Sequence, residues 1–243
     1  MRDLDACRRP LLVQPHYDDN DLGGAGTVRR WADQGAEVTY LTVTDDVAGV
    51  LDAALSDDEA RSQVMAEQEE AGRIVGVARQ IRLEWPDAGG LDHVVLRDQL
   101  IDVIREVQPD IVLTVDPRLP DEAHTDHLIT AAAVNEAVLL GGLARVRPGS
   151  ARGPWSVPVV GYYFTAAPDH LVDTSEVQGP RHAALDCYRA QLTDNDLATL
   201  HRGLDRRERQ QAAGSSGPKA VTHAEALRVI AAGRLHVALP ALP

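Results

Sequence analysis

The feature that most constrains this chain is an alternation that runs through its first 140 residues. Short apolar runs are separated by longer segments with helical spacing. Leu11-Leu12-Val13 lies between Pro10 and Pro15 and reads as a buried strand. A helix is expected from about Leu22 to Gln34, stopped by Gly35. Glu37 to Val43 reads as a second strand, rich in β-branched and aromatic residues. Ser56 to Glu59 has the form of a capping box and opens a helix reaching Val75, with Gly76 closing it. Ile81 to Trp85 gives a third strand. Leu96, Leu100, Val103, Ile104 and Val107 then recur at helical spacing up to Pro109. Ile111 to Val115 is a fourth strand, and a helix follows from Thr125 to Leu140.

Apolar strands alternating with helices demand a parallel sheet covered on both faces. The expected fold is therefore α/β, doubly wound, with right-handed crossovers. Gly141 to Trp155 reads as a surface loop, and Val157 to Phe164 as a further strand. Arg181 to Leu192 and Leu197 to Gln211 read as helices, Gly214 to Pro218 as a flexible connection, and His223 to Ala232 as a last helix. One domain over 1–243 is expected, with a core at about 10–195 and a helical extension at about 196–243.

A net charge of −13 disfavours nucleic acid and anionic membrane surfaces as partners. No run approaches the roughly 18 apolar residues of a membrane span. Cys7 and Cys187 are too few for a disulfide scaffold or a cysteine-based zinc motif. With no apolar leader at Met1 to Asp5, a cytoplasmic protein is expected.

In such sheets ligands bind beyond the carboxyl ends of the strands. The first strand is followed by His16, Asp18 and Asp19, and the second by Asp45 and Asp46. The third is followed by Asp87, and the fourth by Asp116 and then His124, Asp126 and His127. His16 and Asp19 stand three apart, as do His124 and His127, so one helical turn brings each pair to one side. Histidine and aspartate suit a borderline metal, and three protein ligands with one open position mark a catalytic zinc site. A two-metal phosphoesterase is a second reading, with Asp45, Asp46 and Asp116 as further ligands. Gly23-Gly24-Ala25-Gly26 could open a dinucleotide-binding helix, but Arg29 stands where the third glycine belongs. The three nearby aspartates would also repel a pyrophosphate. Close packing of the first helix on the sheet is the better account.

Pro15-His16-Tyr17-Asp18-Asp19 with Leu22-Gly23-Gly24-Ala25-Gly26-Thr27 resembles the first signature of the PIG-L/LmbE-like zinc-dependent N-deacetylases. His124-Thr125-Asp126-His127 resembles their second signature. Glu67, Asp87 before Gly89, Gln108-Pro109-Asp110, Tyr162 to Thr165, Val172 to Ser175 and Ala190-Gln191 also match family positions. The resemblance implies a Rossmann-like enzyme that removes acetyl from an N-acetylglucosamine-like or related N-acylated small molecule. A homo-oligomer is also in keeping with it. It assigns His16, Asp19 and His127 to one Zn2+ per chain, or another divalent transition metal. It makes Asp18 the general base and His124 the oxyanion stabiliser or proton donor, with Asp126 orienting His124. Asp87 falls where members contact the sugar. The usual arginine three residues before Glu67 is Val64 here, and Arg61, one turn earlier, is the candidate to replace it in substrate binding. Tyr17 and Thr125 stand where the family has prolines. A non-catalytic sugar- or metal-binding relative is the remaining alternative.

Overall fold

The computed structural model describes residues 4–213 and 220–236. Seven strands form one sheet: β1 (Pro10–Gln14), β2 (Thr39–Thr44), β3 (Arg79–Trp85), β4 (Ile111–Val115), β5 (Val159–Tyr163), β6 (His170–Asp173) and β7 (Ala224–Ala231). Their order is β3-β2-β1-β4-β5-β7-β6. The pairs from β3 through β5 are all parallel, with Leu11 facing both Thr39 and Val112, while β7 runs antiparallel to β5 and β6. The helices are α1 (Asp19–Asp33), α2 (Asp57–Val75), α3 (His93–Val107), α4 (Thr125–Leu140), α5 (Gln178–Leu185) and α6 (Asp194–Ala212).

Successive strand residues point to opposite faces, and this divides the core in two. Leu12, Tyr40, Leu113 and Tyr163 pack with Val28, Trp31, Val64 and Ala71 under α1 and α2. Leu11, Val13, Leu41 and Val112 pack with Leu96, Leu100, Ile104 and Val134 under α3 and α4. The expected doubly wound sheet is therefore present. β1 and β4 are neighbours but lie on opposite sides of the reversal in strand order. Their carboxyl ends flank the crevice where such sheets bind ligands.

The glycines of α1 serve packing. A Cβ on Gly23 would lie 2.3 Å from the Tyr163 ring, and one on Gly26 would lie 2.6 Å from Thr174. The helix breaks at Gly24, where φ is −162° and ψ 20°. The backbone N–H groups of Gly26 and Thr27 donate to the buried Glu225 carboxylate at 2.8 Å each, and the Thr27 hydroxyl donates at 2.6 Å. No phosphate is needed to explain this turn.

Glu225 also shows why the helix expected over His223 to Ala232 is a strand. Its residues are good helix formers, but β5 and β6 each present an edge to pair with. Glu225 must reach α1, and Leu227 and Val229 the core, on every second residue. Tertiary pairing overrides local propensity. Among the described residues after 196, α6 is the one α-helix, a 3-10 turn follows at Ala232–Leu235, and β7 completes the sheet. The connection expected at Gly214 to Pro218 and the end of the extension lie outside the described residues. The expected helix over Arg181 to Leu192 is shorter and earlier, and β6 was not foreseen. The Gly141 to Trp155 loop leaves the far end of α4 and is held by Arg105. That guanidinium donates to the carbonyls of Gly141, Leu143, Val146 and Arg147.

Truncating Glu225 leaves three buried donors without their carboxylate, while Arg181, 4.0 Å from Glu225, keeps Glu208 at 2.7 Å. Glu225→Ala is expected to lower unfolding stability by about 3 kcal/mol, because buried donors are left unpaired. Urea denaturation measures it, and a loss below about 1 kcal/mol would show that α1 does not depend on this anchor.

Candidate metal centre

β1 ends in a turn that carries His16, Tyr17 and Asp18 into the first residue of α1, Asp19. The Asp18 side chain makes no capping bond to the helix, which leaves it directed at other work. Asp19 Oδ2 accepts the His16 backbone N–H at 3.0 Å, closing the turn. From β4, a longer loop reaches α4, whose N-cap is His124. Its Nδ1 accepts the Asp126 N–H at 3.3 Å, so the neutral ring carries its proton on Nε2.

Three atoms meet between these two turns. His16 Nδ1 and His127 Nε2 are 3.3 Å apart, His16 Nδ1 and Asp19 Oδ2 3.4 Å, and His127 Nε2 and Asp19 Oδ2 3.5 Å. Ligands held tetrahedrally at about 2.0–2.1 Å from one ion lie about 3.3–3.4 Å from each other. The donor set and its spacing fit a divalent ion of the zinc class. The rings of His16, His124 and His127 lie with centroids 4.6 to 5.4 Å apart.

Carboxylates orient both imidazoles from behind, as around many metal-bound histidines. Asp87 Oδ1 lies 3.4 Å and Asp126 Oδ2 3.7 Å from His16 Nε2. Glu122 Oε2 lies 3.2 Å from His127 Nδ1, and its Oε1 accepts the His124 N–H at 2.8 Å. Glu122 was missed by the sequence reading. Its only signal was an acid two residues ahead of the second histidine cluster.

Three expected roles change in detail. Asp126 meets His124 through its backbone N–H, because His124 as N-cap must satisfy that donor. The Asp126 carboxylate turns instead to the Ala88 N–H, 3.0 Å away, and to His16. Asp87, expected at the sugar, has a side chain only 5 % exposed and accepts the Ala48 N–H at 3.0 Å while flanking His16. Arg61 is committed to Asp58 at 2.8 Å and Asp45 at 3.0 Å. Asp45 in turn accepts the Asp87 N–H, so Arg61 acts on the site through two carboxylates. The aspartates of the two-metal reading are likewise occupied. Asp45 binds Arg61 and Asp87, Asp46 binds Tyr17 and Gln191, and Asp116 accepts the Arg118 N–H. Among the described residues, the sets dense enough for a metal are His16/Asp19/His127 and His16/Asp87/His124/Asp126. They share His16.

The electrostatics follow from this crowding. Burial opposes protonation of His16, but the hydrogen-bonding carboxylates of Asp19 and Asp87 overcome it and raise the ring to about 11. Burial also opposes ionisation of Asp19, yet His16 and His127 hold its carboxyl below the usual range. Asp18 is pushed well up, first by burial and then by the charges of Asp19 and Asp46. Two neighbouring carboxylates are thereby driven apart, one toward holding charge and one toward holding a proton. Outside them, a groove of about 330 Å³ is lined by Ala88, Gly90, Ala123, His124, Thr125 and Asp126.

The family described as PIG-L: GlcNAc-PI de-N-acetylase matches residues 11–138, which span both histidine clusters. The chain belongs to the PIG-L family. It is 31 % identical over 191 residues to a diacetylchitobiose deacetylase of Thermococcus kodakarensis, covering 77 % of this chain and 72 % of that one. It is 34 % identical over 181 residues to a 1D-myo-inositol 2-acetamido-2-deoxy-alpha-D-glucopyranoside deacetylase of Mycobacterium leprae, covering 62 % of this chain and 58 % of that one. Among solved structures, the N,N'-diacetylchitobiose deacetylase of Pyrococcus horikoshii superposes with a TM-score of 0.88. The two share 27 % identity over 97 % of this chain and 88 % of that one. The 4-carboxy-2-hydroxymuconate hydratase GalB of Pseudomonas putida, at 20 % identity and a TM-score of 0.78 over 92 % and 96 % of the two chains, shares the fold alone. Members of the PIG-L family are metal-dependent, in keeping with the His/Asp group found here.

His127→Ala and His16→Ala are expected to lose stoichiometric metal, read by elemental analysis after dialysis. Because His16 holds a proton at neutral pH, metal must displace it, and affinity should fall as pH falls. Calorimetry of zinc binding in buffers of different ionisation enthalpy reads the released proton. No release would contradict the assignment of His16.

Proposed function

We propose that this chain is a metal-dependent N-deacetylase that hydrolyses the acetamide of an N-acetylglucosamine-containing small molecule. The observation that carries this reading is the convergence of His16 Nδ1, Asp19 Oδ2 and His127 Nε2 beside a second carboxylate, Asp18, whose proton affinity is raised. The named deacetylases to which the chain is similar support the same reaction class.

His16, Asp19 and His127 would hold the ion, which we take to be one Zn2+ per chain. The chemistry such an ion supplies is to acidify water to a pKa of about 7 and to draw electron density from an amide carbonyl. Asp18 takes a proton from the attacking water, a task suited to a carboxyl whose proton affinity is raised by burial and by the charges of Asp19 and Asp46. His124, with its proton on Nε2, donates a hydrogen bond to the oxygen on which charge develops, and the proton taken up by Asp18 passes to the departing amine. Asp126 and Asp87 keep His16 from turning, and Glu122 does the same for His127. The groove beyond His124 receives the sugar, with the Ala88 to Gly90 and Ala123 to Thr125 backbones as its walls. Because so many carboxylates ring this edge, a neutral or cationic sugar derivative suits the groove better than a polyanion.

The non-catalytic alternative is disfavoured because every position the reaction needs is filled. The two-metal alternative is disfavoured because Asp45, Asp46 and Asp116 are already hydrogen-bonded within the protein. Acetate release should be measured on a panel that includes N,N'-diacetylchitobiose and N-acetylglucosaminyl inositol, with and without a chelator. Release abolished by the chelator is the expected outcome. Release unaffected by the chelator, or none from any substrate, would overturn the reading. Asp18→Asn is expected to reduce turnover by at least about 100-fold while metal stoichiometry is kept. Full activity in that variant would remove Asp18 from its role.

A further inference from the structure

The His16–Asp19 turn has to be rigid, because three of its four side chains do chemistry and no proline stiffens it. The structure shows what replaces that stiffness. The backbone N–H of Tyr17 donates to Asp46 Oδ2 at 2.9 Å. The carbonyl of the same residue accepts from the Tyr188 hydroxyl at 3.0 Å and from Gln14 Nε2 at 3.2 Å. Asp46 itself is 4 % exposed and sits in the left-handed region at φ 54°, just beyond β2. Its other oxygen and its own carbonyl accept from Gln191 Nε2 at 2.8 and 3.0 Å. A buried side chain in an unusual backbone conformation thus spends both oxygens on one peptide of the turn and one amide from the segment after α5.

We propose that Asp46 is a positioning residue, whose carboxylate fixes the His16–Tyr17 peptide and through it the metal-facing His16 and the base Asp18. The left-handed backbone alone does not do this. It turns the chain out of β2 but makes no contact with the turn. The carboxylate supplies the acceptor for the Tyr17 N–H, a buried donor that would otherwise be left unpaired. Gln191 keeps that carboxylate from rotating away, so the segment after α5 bears on the site without touching substrate.

Two substitutions separate the carboxylate from the backbone. Asp46→Gly accepts φ 54° without strain but removes the acceptor. Asp46→Asn tolerates the same conformation and keeps one oxygen for Tyr17, while Gln191 Nε2 gives up the side-chain contact and keeps the carbonyl of residue 46. For Asp46→Gly we expect zinc affinity to fall about tenfold by calorimetry with zinc alone. We also expect kcat to fall by at least about tenfold, with KM within about twofold. Asp46→Asn should restore both to within about threefold of the starting protein. The kinetic arm rests on the deacetylase reading; the zinc arm does not, so a protein inactive on every substrate still tests the clamp. The proposal is overturned if Asp46→Gly binds zinc as the unaltered protein does. It is equally overturned if Asp46→Asn falls as far as Asp46→Gly.

Discussion

Negative charge packed around one imidazole is the condition on which the rest of this site depends. Asp19, Asp87 and Asp126 all approach His16, and Asp18 and Asp46 lie close enough to bear on its charge. Gathering carboxylates in a partly dry crevice costs free energy unless cations or hydrogen-bond donors meet them. The protein meets them in three ways. Arg61 neutralises Asp45 at the rim. Backbone N–H groups of His16, Tyr17, Ala48, Asp87 and Ala88 each take one carboxylate oxygen. The charge that remains converges where His16, Asp19 and His127 face each other, and a divalent cation would answer it there.

The fold makes that convergence available cheaply. Parallel strands send their carboxyl ends to one edge, and the reversal of order between β1 and β4 opens a crevice without any gap in the core. The two turns that carry the histidine clusters leave adjacent strands, so each needs only to bend toward the other. Much of the remaining sequence holds those turns still. Glu225 from β7 takes up the N–H groups released by the break in α1. Tyr40 and Tyr188 donate to buried Asp21 one turn into the same helix. The likeness to a hydratase of the same fold shows that the scaffold does not choose the chemistry. The side chains at this edge do.

Sequence reading served best where the signal was local or periodic. The parallel strands and the helices between them followed from apolar runs and caps, and the Ser56–Glu59 box is formed as expected. It failed where long-range pairing decided the outcome. Ala224 to Ala231 has the composition of a helix, and only the open edges of β5 and β6 make it a strand. In the site, the residue types were legible but not all their partners. Asp87 and Arg61 lie near the crevice, but that one flanks His16 and the other pairs with Asp45 could not be read from their positions in the chain. Glu122 and Asp46 carried no distinguishing pattern, because their importance comes from what stands across from them.

The sequence by itself determined the sheet, the edge at which chemistry would collect, and the two histidine clusters that supply it. Those depend on hydrophobic periodicity and on spacings of a few residues, which a chain cannot alter without changing its local conformation. Tertiary structure alone decided which nitrogen of each histidine faces the shared point and which carboxylates stand at it or behind the rings. It also decided that Asp46 and Gln191 are hydrogen-bonded in line with the Tyr17 peptide of the His16–Asp19 turn. A buried donor or acceptor takes whichever partner the packed fold brings within about 3 Å, and such partners here lie as far as 199 residues apart in the chain.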